Sequence, residues 1–137
     1  MSITNRLKLV FFLILLFSSC TTNRLNELEQ NINKLDYNHK NYSIRLDTIS
    51  FFEWDEVVIA GPYVSLSNIN GYNFKVFPSN ATDYDQYIFM GFISEKEGVK
   101  WASPKRNKYL DSLYKSDIGY KIYKKSSASF KLRKKIE

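Results

Sequence analysis

Three observations predict an α+β fold. A helical stripe of apolar residues spans 23–36, a period-two alternation begins near position 42, and a β-branched run occupies 56–60. Together they predict a helical lead-in followed by a small, mainly antiparallel β-sheet domain with one or two short helices. The chain has 137 residues, enough for one domain and short for two. Hydrophobic residues at 44% and charged residues at 25% fit a folded chain and argue against wholesale disorder. Aromatics reach 16%, and most lie beyond position 20.

Residues 1–20 read MSITNRLKLVFFLILLFSSC. Arg6 and Lys8 supply a basic start, residues 9–17 an unbroken apolar run, and Ser18 and Ser19 small side chains, the layout of a secretory signal peptide. The run is about half of the roughly 20 apolar residues a membrane-spanning helix needs. Leu16, Phe17, Ser18, Ser19 and Cys20 resemble the lipobox of bacterial lipoproteins, with Phe17 standing where Leu is more usual. The resemblance implies that the Cys20 sulfur receives a diacylglycerol and that residues 1–19 are cleaved away. Cys20 is the sole cysteine, so no intramolecular disulfide can form, and acylation removes an oxidisable thiol. Each buried methylene contributes about 0.8 kcal/mol and one acyl chain holds only marginally, so two or three chains give a durable anchor. Neither Thr21 nor Thr22 is acidic, and the expected location is the cell membrane or outer membrane, on the extracytoplasmic side. The expected organisation is thus residues 1–19 as signal peptide, 20–41 as lipidated N-terminus and helical tether, and 42–137 as the α+β domain.

Leu25, Leu28, Ile32 and Leu35 recur at spacings of three, four and three, which puts one apolar stripe on a helix. Barely two heptads are covered, too few for a coiled coil, which leaves a tether or a docked helix as the reading and a partner-binding helix as the alternative. Strand alternation follows at 42–47, and EVVIA at 56–60 reads as a buried strand ended by Gly61-Pro62. Residues 63–72 suit one short helical turn, and Phe74 and Val76 suggest another short strand. YIFMGFIS at 87–94, EKEG at 95–98 and VKWA at 99–102 read as a hairpin with its turn over 95–98. A short helix is expected within 107–115. Alternation at 119–123 and again at 129–132, with a turn between, predicts a second, C-terminal hairpin.

Few residues could carry chemistry. One histidine, His39, and one acylated cysteine cannot build a triad or a zinc cluster, so no catalytic residue, metal or cofactor is expected. No nucleophile elbow, HExxH or phosphate-binding glycine loop occurs. Paired carboxylates at Glu53 and Asp55 and at Asp83 and Asp85 could serve a hydrolase in a cleft, and otherwise read as solvent-facing. With Arg6 and Lys8 removed, 18 basic and 14 acidic residues leave a net charge of +4, too little for a nucleic-acid binder and compatible with anionic lipid or wall polymer nearby.

FEWDEVVIAGPY at 52–63 is the most distinctive stretch. Through Phe52, Trp54, Asp55, Val57, Ile59, Gly61, Pro62 and Tyr63 it resembles a segment of small uncharacterised bacterial lipoproteins, which implies a related fold and no stated activity. Physically, Trp54 can close one end of a core, Asp55 can accept backbone N–H bonds in a turn, and Tyr63 can cap the Gly61-Pro62 turn with its ring buried and its hydroxyl wet. The functional alternative is a surface on which Trp54 and Tyr63 stack against a sugar or peptide. The C-terminal segment carries Lys121, Lys124, Lys125, Lys131, Arg133, Lys134 and Lys135, either a contact for lipid headgroups or wall polymer or a strand edge guarded by lysines.

These features favour a non-enzymatic binding or structural module anchored at the cell envelope. The alternatives are an inhibitor or immunity-type lipoprotein against an envelope-acting toxin or hydrolase, and a carboxylate-dependent hydrolase. Metabolic labelling with palmitate tests the anchor: the wild-type chain takes up label and Cys20→Ala does not, and equal label in the two would refute acylation at Cys20.

Overall fold

A computed structural model of the chain describes residues 23–35 and 41–133. Residues 1–22, with Cys20, and 36–40, with His39, lie outside the described residues, as do Lys134 and Lys135. In chain order the elements are α1 (Asn26–Asn33), β1 (Asn41–Arg45), β2 (Glu56–Ala60), β3 (Phe89–Ser94), β4 (Glu97–Ala102), β5 (Tyr120–Lys124) and β6 (Ser129–Arg133). Four single 3₁₀ turns join them, at Leu46–Thr48, Leu66–Asn68, Leu110–Leu113 and Lys125–Ser127. The α+β reading and the antiparallel sheet are both present.

Strand β2 is central in a four-stranded sheet of order β4-β3-β2-β5, antiparallel throughout. Val57, Val58, Ile59 and Ala60 are all fully buried, so both faces of this strand are covered. On one face Val57 and Ile59 join Met90, Phe92, Trp54, Leu46, Leu110 and Leu113. That layer is completed by α1 and by a separate ribbon in which β1 pairs with β6, Ile44 standing opposite Phe130. On the other face Val58, Ala60, Phe89 and Ile93 are covered by Phe77 and the loops around it. Each fully buried Ile, Val or Phe contributes about 1.5–3 kcal/mol, so these two layers carry most of the stability.

Helix α1 is docked. Leu25 and Ile32 are buried and Leu28 and Leu35 pack beside them, which uses the stripe read from the sequence. Glu27 and Glu29 in the first turn suit the helix dipole. The buried Glu29 carboxylate accepts from Arg24 Nε at 2.9 Å and from the Ser103 backbone N–H at 2.7 Å, and Asn33 Oδ1 accepts from Lys105 N–H at 2.8 Å. Residues 23–35 are therefore built into the domain as a docked helix and its lead-in.

The β3–β4 hairpin forms with a tighter turn than the expected four residues. Glu95 and Lys96 have φ of 50° and 69°, the left-handed pair that a two-residue turn needs to match strand twist. Asp55 Oδ2 accepts the Glu95 N–H at 3.2 Å, which anchors the turn to the head of β2. Gly98 lies in β4 opposite Ile93, beside a bulge, and not in the turn. Its missing side chain, with that of Gly91, seats the Phe77 ring: a Cβ at either position would lie 2.7 or 2.5 Å from it.

Two expectations are corrected. The strands at 120–124 and 129–133 exist but do not pair with each other; β5 lies on β2 and β6 on β1. The 3₁₀ turn at Lys125–Ser127 carries the chain between layers, and the N–H groups of Leu46 and Asp47 both bond to Ala128 O, at 2.9 and 3.1 Å. The strand expected around Phe74 and Val76 is absent. Asn73 makes one isolated bridge to Glu97, then the Phe77 N–H closes a turn on Phe74 O at 2.9 Å. That turn brings the Phe74 and Phe77 rings into a stack, centroids 4.8 Å apart, which a strand's alternation would have placed on opposite sides.

The end of β2 rests on Gly61. The Tyr114 ring lies flush against it, and a Cβ there would be 2.4 Å from Tyr114 Cε2. Tyr114 is itself held by its hydroxyl, which donates to Asp111 Oδ1 at 2.7 Å while Arg106 Nε donates to the same oxygen at 3.0 Å. Gly61→Ala is expected to lower stability by about 1–3 kcal/mol through overpacking, read from urea unfolding, whereas an unshifted midpoint would mean that Tyr114 is not seated there. Burial, then the bond to Asp111, push the Tyr114 phenol up from 10.0 to about 12. A raised folded-state value favours the protonated phenol, so its contribution is complete below pH 10 and is lost as pH rises toward 12. Tyr114→Phe should flatten that alkaline loss in urea midpoints measured across the same range, and an identical alkaline profile would count against the assignment.

Candidate functional site

The residues between β2 and β3 build a groove on the loop-covered face of the sheet. Gly61-Pro62 ends β2, and Tyr63 follows with φ of 63°, a left-handed backbone that costs a residue with a Cβ about 1–2 kcal/mol. The conformation is clamped from the opposite loop. The Tyr63 N–H donates to Thr82 O at 2.5 Å, and Thr82 Oγ1 donates to Val64 O at 2.5 Å. Thr82 thereby ties the 63–67 wall to the 78–83 wall, and the Tyr63 ring projects from the join, 73% exposed.

The groove has a volume of about 780 Å³. Its apolar surface comes from Phe74, Phe77 and Leu66, its polar rim from Ser65, Ser67, Asn73, Thr82 and Asp83, and one cation, Lys75, lies on the same wall as Asn73. Ser65 and Ser67 hydroxyls are 3.2 Å apart, and Asn73 Oδ1 accepts the Lys75 N–H at 3.2 Å. Tyr72 forms the end nearest the hairpin turn. Its hydroxyl accepts from Lys96 Nζ at 2.8 Å and donates to Glu56 Oε2 at 3.1 Å, and Lys96 also bonds Glu56 Oε1 at 3.1 Å. The bonds to Tyr72 and then Glu56 hold the Lys96 ammonium above the usual lysine range. This triad fixes the ring as a wall, with Lys96 4.5 Å from its centroid.

Aromatic faces with hydroxyl and amide groups around them offer stacking and neutral hydrogen bonding. Reacting chemistry finds less support. Among the described residues no group of three or more His, Cys, Asp or Glu could hold a metal ion. Asp83 lines the groove while Asp55 is spent on the hairpin turn at the far end of β2, so the structure does not join these acids in one cleft. Glu53, Asp55, Asp83 and Asp85 are all exposed.

The two candidate stacking residues do not share a surface. Trp54 is a core residue, 5% exposed, edge-on to Phe92 at 5.0 Å, with its Nε1 donating to Ile49 O at 2.9 Å. Lys125 Nζ covers the ring at 5.0 Å. Trp54 precedes β2 and has no face to offer a ligand, because that face is already packed in the layer with α1. Tyr63 follows β2, and its ring is outside, contrary to the buried cap expected of it. Tyr72, Phe74 and Thr82 join it, none of them singled out from the sequence. Their only signal was a run of aromatic, hydroxyl and amide residues over 63–83 punctuated by Gly71 and Pro78.

Lys121 and Lys124 lie exposed on β5, the outer strand of the four-stranded sheet, which fits a guarded edge. The aromatics between the lysines face inward, Tyr123 and Phe130 meeting edge-on at 4.8 Å. Among the described residues no helix is long and apolar enough to cross a membrane. Compared with protein-family models, curated proteins and solved structures, the chain matches none of them.

Proposed function

We propose that this is a lipid-anchored protein of the bacterial cell envelope, attached through Cys20 on the extracytoplasmic side, and that its domain is a non-enzymatic module binding an envelope saccharide chain in the groove beside Tyr63. The observation that carries the binding reading is the Tyr63 conformation. A tyrosine is held in a left-handed backbone by two hydrogen bonds while its ring is left 73% exposed. Strain kept by surrounding structure at an exposed aromatic supports a functional constraint. Glycine would satisfy the turn without that cost, so the side chain itself is what the site retains.

The lining supports saccharide as the ligand class. Sugar rings present apolar C–H faces that stack on aromatic rings and hydroxyls that pair with Ser, Thr and Asn. Tyr63 and Tyr72 offer the rings, and Ser65, Ser67, Asn73 and Thr82 the hydrogen-bonding groups. Lys75 and Asp83 balance in charge, which suits a ligand of low net charge. The signal layout and lone cysteine support delivery to the compartment where such polymers lie.

Titration of the acylated protein with soluble oligosaccharides released from the envelope, followed by calorimetry or NMR, tests the module. Tyr63→Ala should weaken binding about tenfold, a loss of about 1.4 kcal/mol. Tyr63→Gly should lose binding to the same degree while unfolding at an equal or higher temperature, because the left-handed strain is relieved. Binding that survives both substitutions, or no binding of any envelope saccharide at millimolar concentration, would overturn the assignment.

A further inference from the structure

The point at which the chain joins the fold constrains how the domain sits in the envelope. Residue 23 is already part of the sheet edge. The Trp101 N–H donates to Asn23 O at 2.8 Å and the Leu25 N–H to Trp101 O at 2.7 Å, so the chain runs parallel to β4 along its outer edge. The Arg24 guanidinium lies 5.0 Å from the centre of the half-buried Trp101 ring. Leu25 and Ile32 then enter the core, and Glu29 bonds the backbone at Ser103. No free tether separates residue 23 from the domain.

Only Thr21 and Thr22 stand between Cys20 and this edge. Three residues reach at most about 11 Å even when fully extended. The headgroup layer of one leaflet is itself about 5–8 Å deep. An acylated Cys20 therefore draws the β4 edge down to the headgroups. The charges around that edge nearly balance, since Arg24 pairs with Glu29 and Lys96 with Glu56, and Lys75 and Lys100 stand against the exposed acids Glu27, Glu95 and Glu97, so the short reach from Cys20 and not charge sets the position of the edge. Trp101 adds an aromatic ring of the kind that settles at a membrane interface. The opposite edge, with Lys121 and Lys124 on β5, lies three strand spacings away, about 14 Å.

We infer that the domain lies directly on the bilayer with its β4 edge against the phospholipid headgroups, and that the lysines of β5 face away from it. The inference rests on the proposed anchoring at Cys20. It also sets the groove beside the membrane, because the Asn73 wall is hydrogen-bonded to the same edge, Asn73 N–H to Lys96 O at 2.9 Å and Gly98 N–H to Asn73 O at 2.8 Å.

The test uses the full acylated chain in vesicles of phosphatidylethanolamine and phosphatidylglycerol that carry a headgroup-attached quencher. A fluorophore is placed through Glu97→Cys, on β4, in one sample and Lys121→Cys, on β5, in another. Quenching at position 97 should be roughly threefold the stronger, given an offset of about 14 Å between the edges. Inserting about 20 Gly and Ser residues between Thr22 and Asn23, outside the fold, should erase the difference, since such a linker spans about 25 Å. Equal quenching at the two positions, stronger quenching at 121, or a difference that survives the insertion overturns the orientation. Mass analysis of the processed N-terminus in the same samples separates the two readings. With the lipid found on Cys20 a failed orientation leaves the anchoring intact, whereas an unmodified Cys20 overturns both.

Discussion

The constraint on which the structure depends is that β2 has no solvent-facing side. Val57 through Ala60 are wholly buried, and an antiparallel strand of this kind needs a cover on each face. A chain of this size cannot supply two further sheets, so it covers one face with α1, two of its 3₁₀ turns and the β1–β6 ribbon, and the other with loops. The division has a functional consequence. The first cover is closed by packing. The second is made of turns that leave their backbone at the surface, and it is there that a groove opens.

The segment from Phe52 to Tyr63 shows how one stretch serves both covers. Trp54 fills the closed layer against Phe92, and Asp55 ties β2 to its neighbours, accepting the Glu95 N–H with its side chain and the Lys125 N–H with its backbone oxygen at 2.8 Å. Gly61 admits the Tyr114 ring, and Pro62 turns the chain over. Of the segment's aromatic rings Tyr63 alone is exposed, with Phe52 half-buried and Trp54 in the core. A segment that looks like one motif in the sequence is thus a structural frame ending in a single exposed aromatic.

The two edges of the main sheet are treated differently, and the difference gives the domain a direction. The β4 edge is hydrogen-bonded by residues 23–25 near one end and by Asn73 near the other, which leaves little of it open to strand addition. Among the described residues the β5 edge has no further strand beside it, and it carries lysines. The first edge also receives the chain from its anchor side, so the protected edge and the edge nearest the proposed lipid are the same.

By itself the sequence determined the local elements. The α1 stripe, β2, the β3–β4 hairpin and the existence of β5 and β6 were all legible, because periodicity and β-branched runs act over a few residues. The apolar stripe on α1 also required a partner surface, and Glu29 and Leu25 found it on the chain after β4. Tertiary structure alone decided the rest. Strand alternation is identical whichever partner a strand takes, so β5 and β6 could not be told from a hairpin until the Lys125–Ser127 turn sent them to separate layers. Phe74 and Val76 read as strand residues until two glycines on neighbouring strands gave the Phe77 ring a seat that a turn could fill. The candidate site was the least legible part, since Tyr63, Tyr72 and Thr82 come together through hydrogen bonds between loops, and the exposure of a ring depends on what the rest of the chain has left uncovered.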